Sequence, residues 1–267
     1  MLYIKGHKII KGYIGNTPIS HVGFGKSGLI KIKSENGGSD YPDNLIAKYT
    51  TNTSGVLPTF NDGYQYTINE TELNGIYTVE LFSDDDFTSC SFDGKTELLT
   101  VDYLKVTDKV TNMSNMFRNC SKLTIVNSSN WNTENVLRMT NMFYICSSLT
   151  QLDVSNFDTS KVTYMSNMFN TCKALTQLDV SNFDTSKVTT MSSFIANASV
   201  LQSFISCAIP VSFGASGTAL THDSLMSIIN NLATVTTTQT LTLGSTNLAK
   251  LSSEEKAIAT NKGWTLA

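Results

Sequence analysis

LDVSNFDTSKVT is found at residues 152–163 and again, letter for letter, at residues 178–189. Two unrelated sites would not share so regular a spacing, so the interval (178 − 152 = 26) indicates a repeated architecture. The same period extends into the neighbouring sequence on both sides. Four units can be aligned, the first and last of them ragged: 100–125, 126–151, 152–177 and 178–203.

Each part of a unit predicts its own local structure. The segment 175–180 has the L-x-x-L-x-L spacing of a repeat strand. The segment MSNMF at 165–169 has apolar residues at helical spacing and predicts one inward-facing helical turn. Asn156, Asp158 and Ser160 predict a tight bend between them, because their side chains can bond to nearby backbone. Since one unit cannot bury its apolar stripe alone, the copies are expected to stack.

The cysteines follow the repeat. Cys120, Cys146 and Cys172 recur at the interval of the units, and stacking would bury them as a column of small apolar side chains. A reactive thiol or a metal ligand is the alternative. Ala198 takes the same position in the last unit, which favours packing over chemistry. The sequence has no CxxC motif and no Cys/His cluster with zinc spacing.

The combined motif resembles a known family. F-x-x-C-x-x-L occurs at 117–123, 143–149 and 169–175. The second copy is followed by L-D-V-S-N-F-D-T-S-K-V-T-x-M-S-x-M-F, and the third by L-D-V-S-N-F-D-T-S-K-V-T-x-M-S-x-F. This pattern is similar to the BspA-like leucine-rich repeats of bacterial surface proteins and covers about residues 87–213. The resemblance implies a chain that is mainly β with short helices and contains a short leucine-rich-repeat solenoid. The last unit departs from the pattern at 194–195, as a terminal unit should.

Residues 1–33 contain six lysines and no acidic residue. Short apolar alternations broken by glycine predict small β-hairpins. The lysines are either a solvated face that prevents edge pairing or a docking surface for an acidic partner. The stretch also resembles the N-terminal segments of tail proteins in phages of Gram-positive bacteria, which implies an attachment segment. Residues 34–86, opening with the linker SENGGSD, predict a small β-module between this segment and the solenoid.

Residues 214–267 predict a C-terminal α/β cap. LTHDSLMSIINNLA (220–233) predicts a helix with Thr221 as N-cap, and TQTLTLG predicts a strand. A second helix is expected to start at Ser252 or Ser253 and to stop at Gly263. This closure is similar to the C-termini of the same repeat-bearing phage and surface proteins, and it would cover the apolar end of the solenoid.

The sequence favours binding over catalysis. Its three histidines have no partner spacing for a triad or a metal site, and Ser-Asp-Asp-Asp at 83–86 lacks the ligand spacing of a calcium loop. Aspartates such as Asp153 and Asp158 recur with the repeat and are expected to serve turns. We therefore expect no enzyme activity, no cofactor and no metal. A net charge of −3 favours no nucleic-acid partner, and no apolar run is long enough for membrane insertion.

Specificity is expected at the positions where the units differ. Tyrosine and arginine dominate interface hot spots, and tyrosine can also stack on sugars. For any single residue, the alternative is an exposed position with no role. The variable registers are Asn112/Arg138/Tyr164/Thr190 and Arg118/Tyr144/Asn170/Ala196, and the candidate ligand-binding residues are Arg138, Tyr144, Tyr164 and Arg118.

Together these patterns predict a non-enzymatic phage tail protein, associated with a fibre or baseplate. Residues 1–33 would attach it to other virion proteins, and the solenoid would recognise a glycan or protein on the host bacterial surface. The N-terminus has no secretory signal pattern, which favours a virion tail over a bacterial adhesin. A bacterial cell-surface or secreted BspA-like binding protein is the alternative. The resemblance also allows a homotrimer, although no residue requires one.

Overall fold

The computed structural model describes residues 44–61 and 64–267 in full, and the backbone of 12–14, 17–24 and 30–34. Within these residues the chain is mainly β-structure, with three short helices and several small open sheets. The lysines of residues 1–11 and Lys26 lie outside the described residues, and so does the side chain of each remaining lysine in 1–33.

The largest sheet contains the first strands of the chain. Its strand order is β1-β2-β6-β7-β4-β9-β10, with β3 paired to β2. All its pairs are antiparallel except β9 with β10, where parallel pairing begins. Asn74 and Gly75, with φ of 55° and 78°, form the tight turn between β6 and β7. The strands are β1 (Gly12–Ile14), β2 (Thr17–Phe24), β3 (Ile30–Ser34), β4 (Leu45–Thr51), β6 (Thr67–Leu73), β7 (Ile76–Phe82), β9 (Leu98–Leu104) and β10 (Ile125–Val126), while β5 (Thr59–Phe60) pairs with β8 (Cys90–Ser91).

Successive repeat units lie side by side in parallel. A parallel bridge joins Ile125 to Gln151, and β11 (Gln177–Asp179) pairs in parallel with β12 (Ser203–Ile205). The prediction for segment 175–180 is confirmed, since its three apolar residues are buried and β11 lies within it. The predicted bend is also confirmed, because Asp158 accepts the N–H of Ser160 at 2.9 Å.

The predicted helical turn at 165–169 is wrong. The segment forms consecutive turns, although its two methionines and its phenylalanine are fully buried as expected. Asn167 and Thr171 have φ of 57° and 64°, a left-handed conformation that ends a right-handed helix. The same conformation recurs in every unit, at Asn115, Asn141, Asn167 and Ser193 and at Asn119, Ile145, Thr171 and Asn197.

The turns use their backbone N–H groups to bind the next unit. Alternate N–H groups donate to carbonyls of the following unit, whereas those between them, such as Met142 and Tyr144, donate to carbonyls within their own turn. This pairing gives the buried backbone the partners that water cannot supply there. The contacts at the first methionine of each unit are Met113 to Arg138, Met139 to Tyr164 and Met165 to Thr190, each 2.9 Å.

Aromatic rings stack along the buried side of these turns. Phe117, Phe143 and Phe169 lie nearly parallel, with centroids 5.5 and 5.8 Å apart. Phe92 extends the column at 5.6 Å from Phe117, so the stack starts one unit before the four aligned from sequence. Phe92 was missed because Lys95 takes the place of the cysteine in its motif.

The C-terminal region contains helices and a parallel sheet. The strands β13 (Phe213–Gly214), β14 (Gln239–Thr242) and β15 (Trp264–Leu266) pair in that order. Helix α1 (His222–Asn230) is capped by Thr221, and α3 (Ser253–Asn261) by a capping box at Ser252, so both predicted helices are confirmed. Gly263 follows α3 with φ of 89°. The short helix α2 (Gly244–Leu248) was not predicted.

The C-terminal sheet joins directly onto the last repeat unit. Met191 forms a parallel bridge with Phe213, and the ring of Phe213 lies 5.7 Å from that of Phe194. Asn197 donates its N–H to Ser216 at 2.7 Å. The segment 213–217 therefore takes the place of a further unit.

Replacing Thr171 with asparagine should stabilise the protein. A β-branched residue at positive φ costs roughly 1 kcal/mol more than asparagine, which already occupies this position as Asn119 and Asn197. The expected rise in melting temperature is about 2–4 °C for a chain of this size. The reverse swap, Asn119→Thr, should lower the melting temperature by a similar amount. Two swaps that move it in the same direction would contradict this explanation.

Candidate functional site

The first variable register forms a continuous row on the surface. Parallel bridges join Asn112 to Arg138, Arg138 to Tyr164 and Tyr164 to Thr190. All four side chains are exposed, whereas the methionine that follows each of them is buried. The residue before each of the four is also exposed or half-buried, so the row lies within a wider exposed strip. We call this row the outer ladder.

The outer ladder continues into the C-terminal sheet. The pairing of Met191 with Phe213 and of Phe213 with Leu241 places Ser212 and Thr240 next in the row. Thr240 in turn pairs with Thr265. The row thus has seven rungs and, at the usual strand separation, a length of roughly 29 Å. Its members are Asn112, Arg138, Tyr164, Thr190, Ser212, Thr240 and Thr265.

Arg138 and Tyr164 form a paired platform in this row. The Arg138 guanidinium carbon lies over the Tyr164 ring, 5.3 Å from its centroid, which is within cation–π range. Tyr164 keeps 39% of its surface exposed. The exposed part of the ring and the guanidinium therefore present an apolar surface and a hydrogen-bond donor side by side.

The second variable register lies deeper. Asn170 and Ala196 are buried, and Tyr144 is half-buried. Arg118 forms a bidentate pair with Asp93, at 2.9 Å from Nε and 2.5 Å from Nη2. The Arg118 guanidinium thus already has a carboxylate partner, so Arg138 and Tyr164 are the candidate residues that the structure brings together for a ligand.

Hydroxyl groups surround the outer ladder. Thr163 donates to the carbonyl of Leu137 at 3.1 Å, and Thr189 to that of Thr163 at 3.0 Å. At the junction with the C-terminal sheet the surface forms a pocket of about 110 Å³. The pocket is lined by Ser192, Ser193, Ser212, Phe213, Gly214, Ser216, Thr240 and Thr242.

The cysteines of the repeat are structural. Cys120, Cys146 and Cys172 are fully buried, and each thiol approaches a phenylalanine carbonyl at 3.0 to 3.2 Å. Burial raises the pKa of the Cys120 and Cys172 thiols to about 12 and that of Cys146 well above its usual value. These thiols therefore stay protonated at neutral pH, which is unsuitable for a nucleophile or a metal ligand.

The repeated aspartates bind their own turns. The hydroxyl and the N–H of Ser160 hold the pKa of Asp158 below its usual range, and Ser155 does the same for Asp153. Asp86, in the acidic run at 83–86, lies 2.9 Å from Lys105, whose hydrogen bond lowers its pKa. Across the described residues, no group of three or more His, Cys, Asp and Glu side chains could hold a metal ion.

The histidines do not assemble a site in the part of the chain that is described. His222 is half-exposed, and its Nε2 lies 2.8 Å from Oε1 of Glu255 in helix α3. This contact joins helix α1 to helix α3. The side chains of His7 and His21 lie outside the described residues. Among the helices described, none is long and apolar enough to cross a membrane.

Comparison with known proteins gives one partial match. Residues 91–207 match the model of a family described as a Mycoplasma protein of unknown function, DUF285. No curated protein and no solved structure matches the chain. The matched region starts just before Phe92, where the aromatic stack begins.

The sequence indicated only part of the outer ladder. Alignment of the units placed Arg138 beside Tyr164, because both lie in units of equal length. Ser212 was missed because the interval from Thr190 falls to 212 − 190 = 22 residues, and Thr240 and Thr265 were missed because helices separate their strands. The alternation of polar and apolar residues around them is the signal that could have found them.

Native protein should resist thiol labelling. We expect no alkylation of its five cysteines by iodoacetamide at pH 8, because all are buried and their raised pKa values keep the thiols protonated. After unfolding in guanidinium chloride, mass spectrometry should find all five labelled. Rapid labelling of any one in the native protein would reveal a reactive thiol.

Proposed function

We propose that residues 87–213 form a leucine-rich-repeat solenoid of the BspA-like kind and that this solenoid recognises a receptor on a bacterial surface. The parallel bridges, the N–H donation to the neighbouring unit and the aromatic stack support the solenoid. The match of residues 91–207 to a family model supports treating this region as one module.

The outer ladder is the proposed recognition surface. The residues that are the same in every unit are mostly buried or engaged in turns. Arg138, Tyr164 and Thr190 occupy one position that differs from unit to unit, and they are exposed. A solenoid can change such positions without disturbing its core. The observation that carries the proposal is the Arg138–Tyr164 platform, because arginine and tyrosine are the residues most often found at binding hot spots.

We place this module in a phage tail protein without enzymatic activity, attached to the virion through residues 1–33. This part of the proposal is supported by the resemblance of the N-terminal segment to those of phage tail proteins. A bacterial cell-surface or secreted binding protein is the second candidate, and the family described from Mycoplasma favours it. Mass spectrometry of purified phage particles and of washed cells from the source culture separates the two, since the protein should be found with one fraction.

Receptor recognition can be tested with substitutions that copy the residues found at equivalent positions of the outer ladder. The variant Arg138→Asn/Tyr164→Thr uses the side chains found at Asn112 and Thr190, so it should fold normally. We expect fluorescently labelled protein to bind selected strains in a panel of Gram-positive bacteria. The double variant should bind them at least about tenfold more weakly, as expected for the loss of hot-spot side chains.

The matched control is Lys187→Asn, a change at an exposed position elsewhere on the unit that borrows the side chain of Asn135. It should bind as the parent protein does. Equal binding by the parent and the double variant would remove the outer ladder as the site. Failure of the parent protein to bind any strain would contradict recognition of a bacterial surface.

A further inference from the structure

The chemical character of the outer ladder is uniform. Two further rows flank it, one beginning at Thr111 and one at Ser114, and no Asp or Glu occupies any of the three rows. Arg138 is the one charged side chain in them. Hydroxyl-bearing residues fill most other positions: Thr111, Thr163 and Thr189 in the first row, Thr190, Ser212, Thr240 and Thr265 in the second, and Ser114, Thr140, Ser166, Ser192 and Thr242 in the third.

The pocket lies on this same face. Ser192 is exposed two residues after Thr190, on the same side of the backbone, and its hydroxyl donates to that of Ser166 at 3.1 Å. Ser212 and Thr240, two rungs of the outer ladder, also line the pocket. The pocket is therefore a depression in the ladder near its C-terminal end.

The walls of the pocket are held in place. Ser212 donates its hydroxyl to Gln239 Oε1 at 2.9 Å and accepts the N–H of Thr240 at 3.1 Å. Gly214 allows the two backbones to meet, since a Cβ there would lie 2.7 Å from the Cα of Ser193. Such fixed hydroxyls can bind a polar ligand without first being ordered.

The size and lining of the pocket limit what it can hold. Its 110 Å³ is well below the roughly 300 Å³ at which pockets for drug-sized ligands begin. Six of the eight lining residues carry hydroxyls, and none is charged. A small, neutral, polyhydroxylated group satisfies donors and acceptors of this kind.

A protein partner fits this surface less well. The cores of protein interfaces are enriched in aromatic and other apolar residues. Among the described residues of the three rows, only Leu137 and Tyr164 are exposed large apolar side chains. A sugar ring needs less apolar protein surface, because its apolar face can lie on one tyrosine while its hydroxyls bond to the surrounding side chains.

We propose that the outer ladder binds a neutral glycan chain and that the pocket at Ser192, Ser212 and Thr240 is a subsite for one sugar residue. Tyr164 provides the stacking surface and Arg138 donates hydrogen bonds to ring or exocyclic oxygens. This inference rests on the proposed recognition of a bacterial surface and names the chemical class of its receptor.

The test uses full-length protein and a strain that it binds. Cells are left untreated, digested with proteinase K, or oxidised with periodate, which cleaves vicinal diols in glycans. Protein-free cell-wall polysaccharide from each strain of the panel is immobilised as a second probe. We expect binding to survive the protease, to be lost after periodate, and to occur on the polysaccharide.

The pocket is tested with Ser192→Tyr, which fills it from an exposed position, against Ser199→Tyr, the same change at an exposed serine outside the three rows. Both should melt as the parent does. Only Ser192→Tyr should weaken polysaccharide binding, by about tenfold, as expected when hydrogen bonds to one sugar residue are lost.

Each other outcome is decisive. Binding abolished by protease but not by periodate would overturn the glycan while leaving surface recognition intact. Equal polysaccharide binding by the two serine variants would overturn the subsite. No binding to any cell or polysaccharide would overturn both this inference and the proposed function.

Discussion

The structure depends on one constraint: the buried turns of each unit have no water to bind, and their backbone N–H groups must find carbonyls elsewhere. Alternate N–H groups find them in the next unit, as Met139 does with Tyr164 and Phe143 with Met168, both at 2.9 Å, and the groups between them donate within the turn. Within the four aligned units this pairing always links residues at the same interval, so equal length brings the same donors and acceptors together at each interface. The constant spacing of the units is the consequence in the sequence.

The same constraint explains which residues recur in every unit. Left-handed residues turn the chain so that it presents its N–H groups to its neighbour, and asparagine recurs at Asn115, Asn141 and Asn167 because it tolerates that conformation. Phenylalanine recurs because each ring lies on the ring before it. What remains free to vary is the outward face, and there Arg138 and Tyr164 differ from their counterparts. The scaffold and the proposed recognition surface are thus separated along each unit.

Periodicity predicted the stacking, the burial of the cysteine column and the two capped C-terminal helices, since each depends on local spacing or on a cap such as Ser252. It predicted a helix at 165–169 wrongly, because helical spacing and a chain of turns bury the same residues, and only the backbone angle at Asn167 distinguishes them. The outer ladder could be predicted from the sequence where the units are equal in length. It could not be predicted where the interval changes, first at Ser212 and then where helices separate the strands. The Asp93 partner of Arg118 depends on side-chain geometry that spacing does not contain.

Removal of one whole unit tests the central claim directly. Deletion of residues 152–177 joins Gln151 to Leu178, the same pair of residues that flanks the unit at both ends. Deletion of 153–177 removes one residue fewer, so it adds one residue between the two flanking units and changes the register at that interface. If N–H donation between equal units holds the fold together, the first variant should keep the circular dichroism spectrum and cooperative thermal unfolding of the parent, and the second should unfold at a lower temperature than the first. Equal stability of the two variants, or failure of the first to fold, would contradict the account.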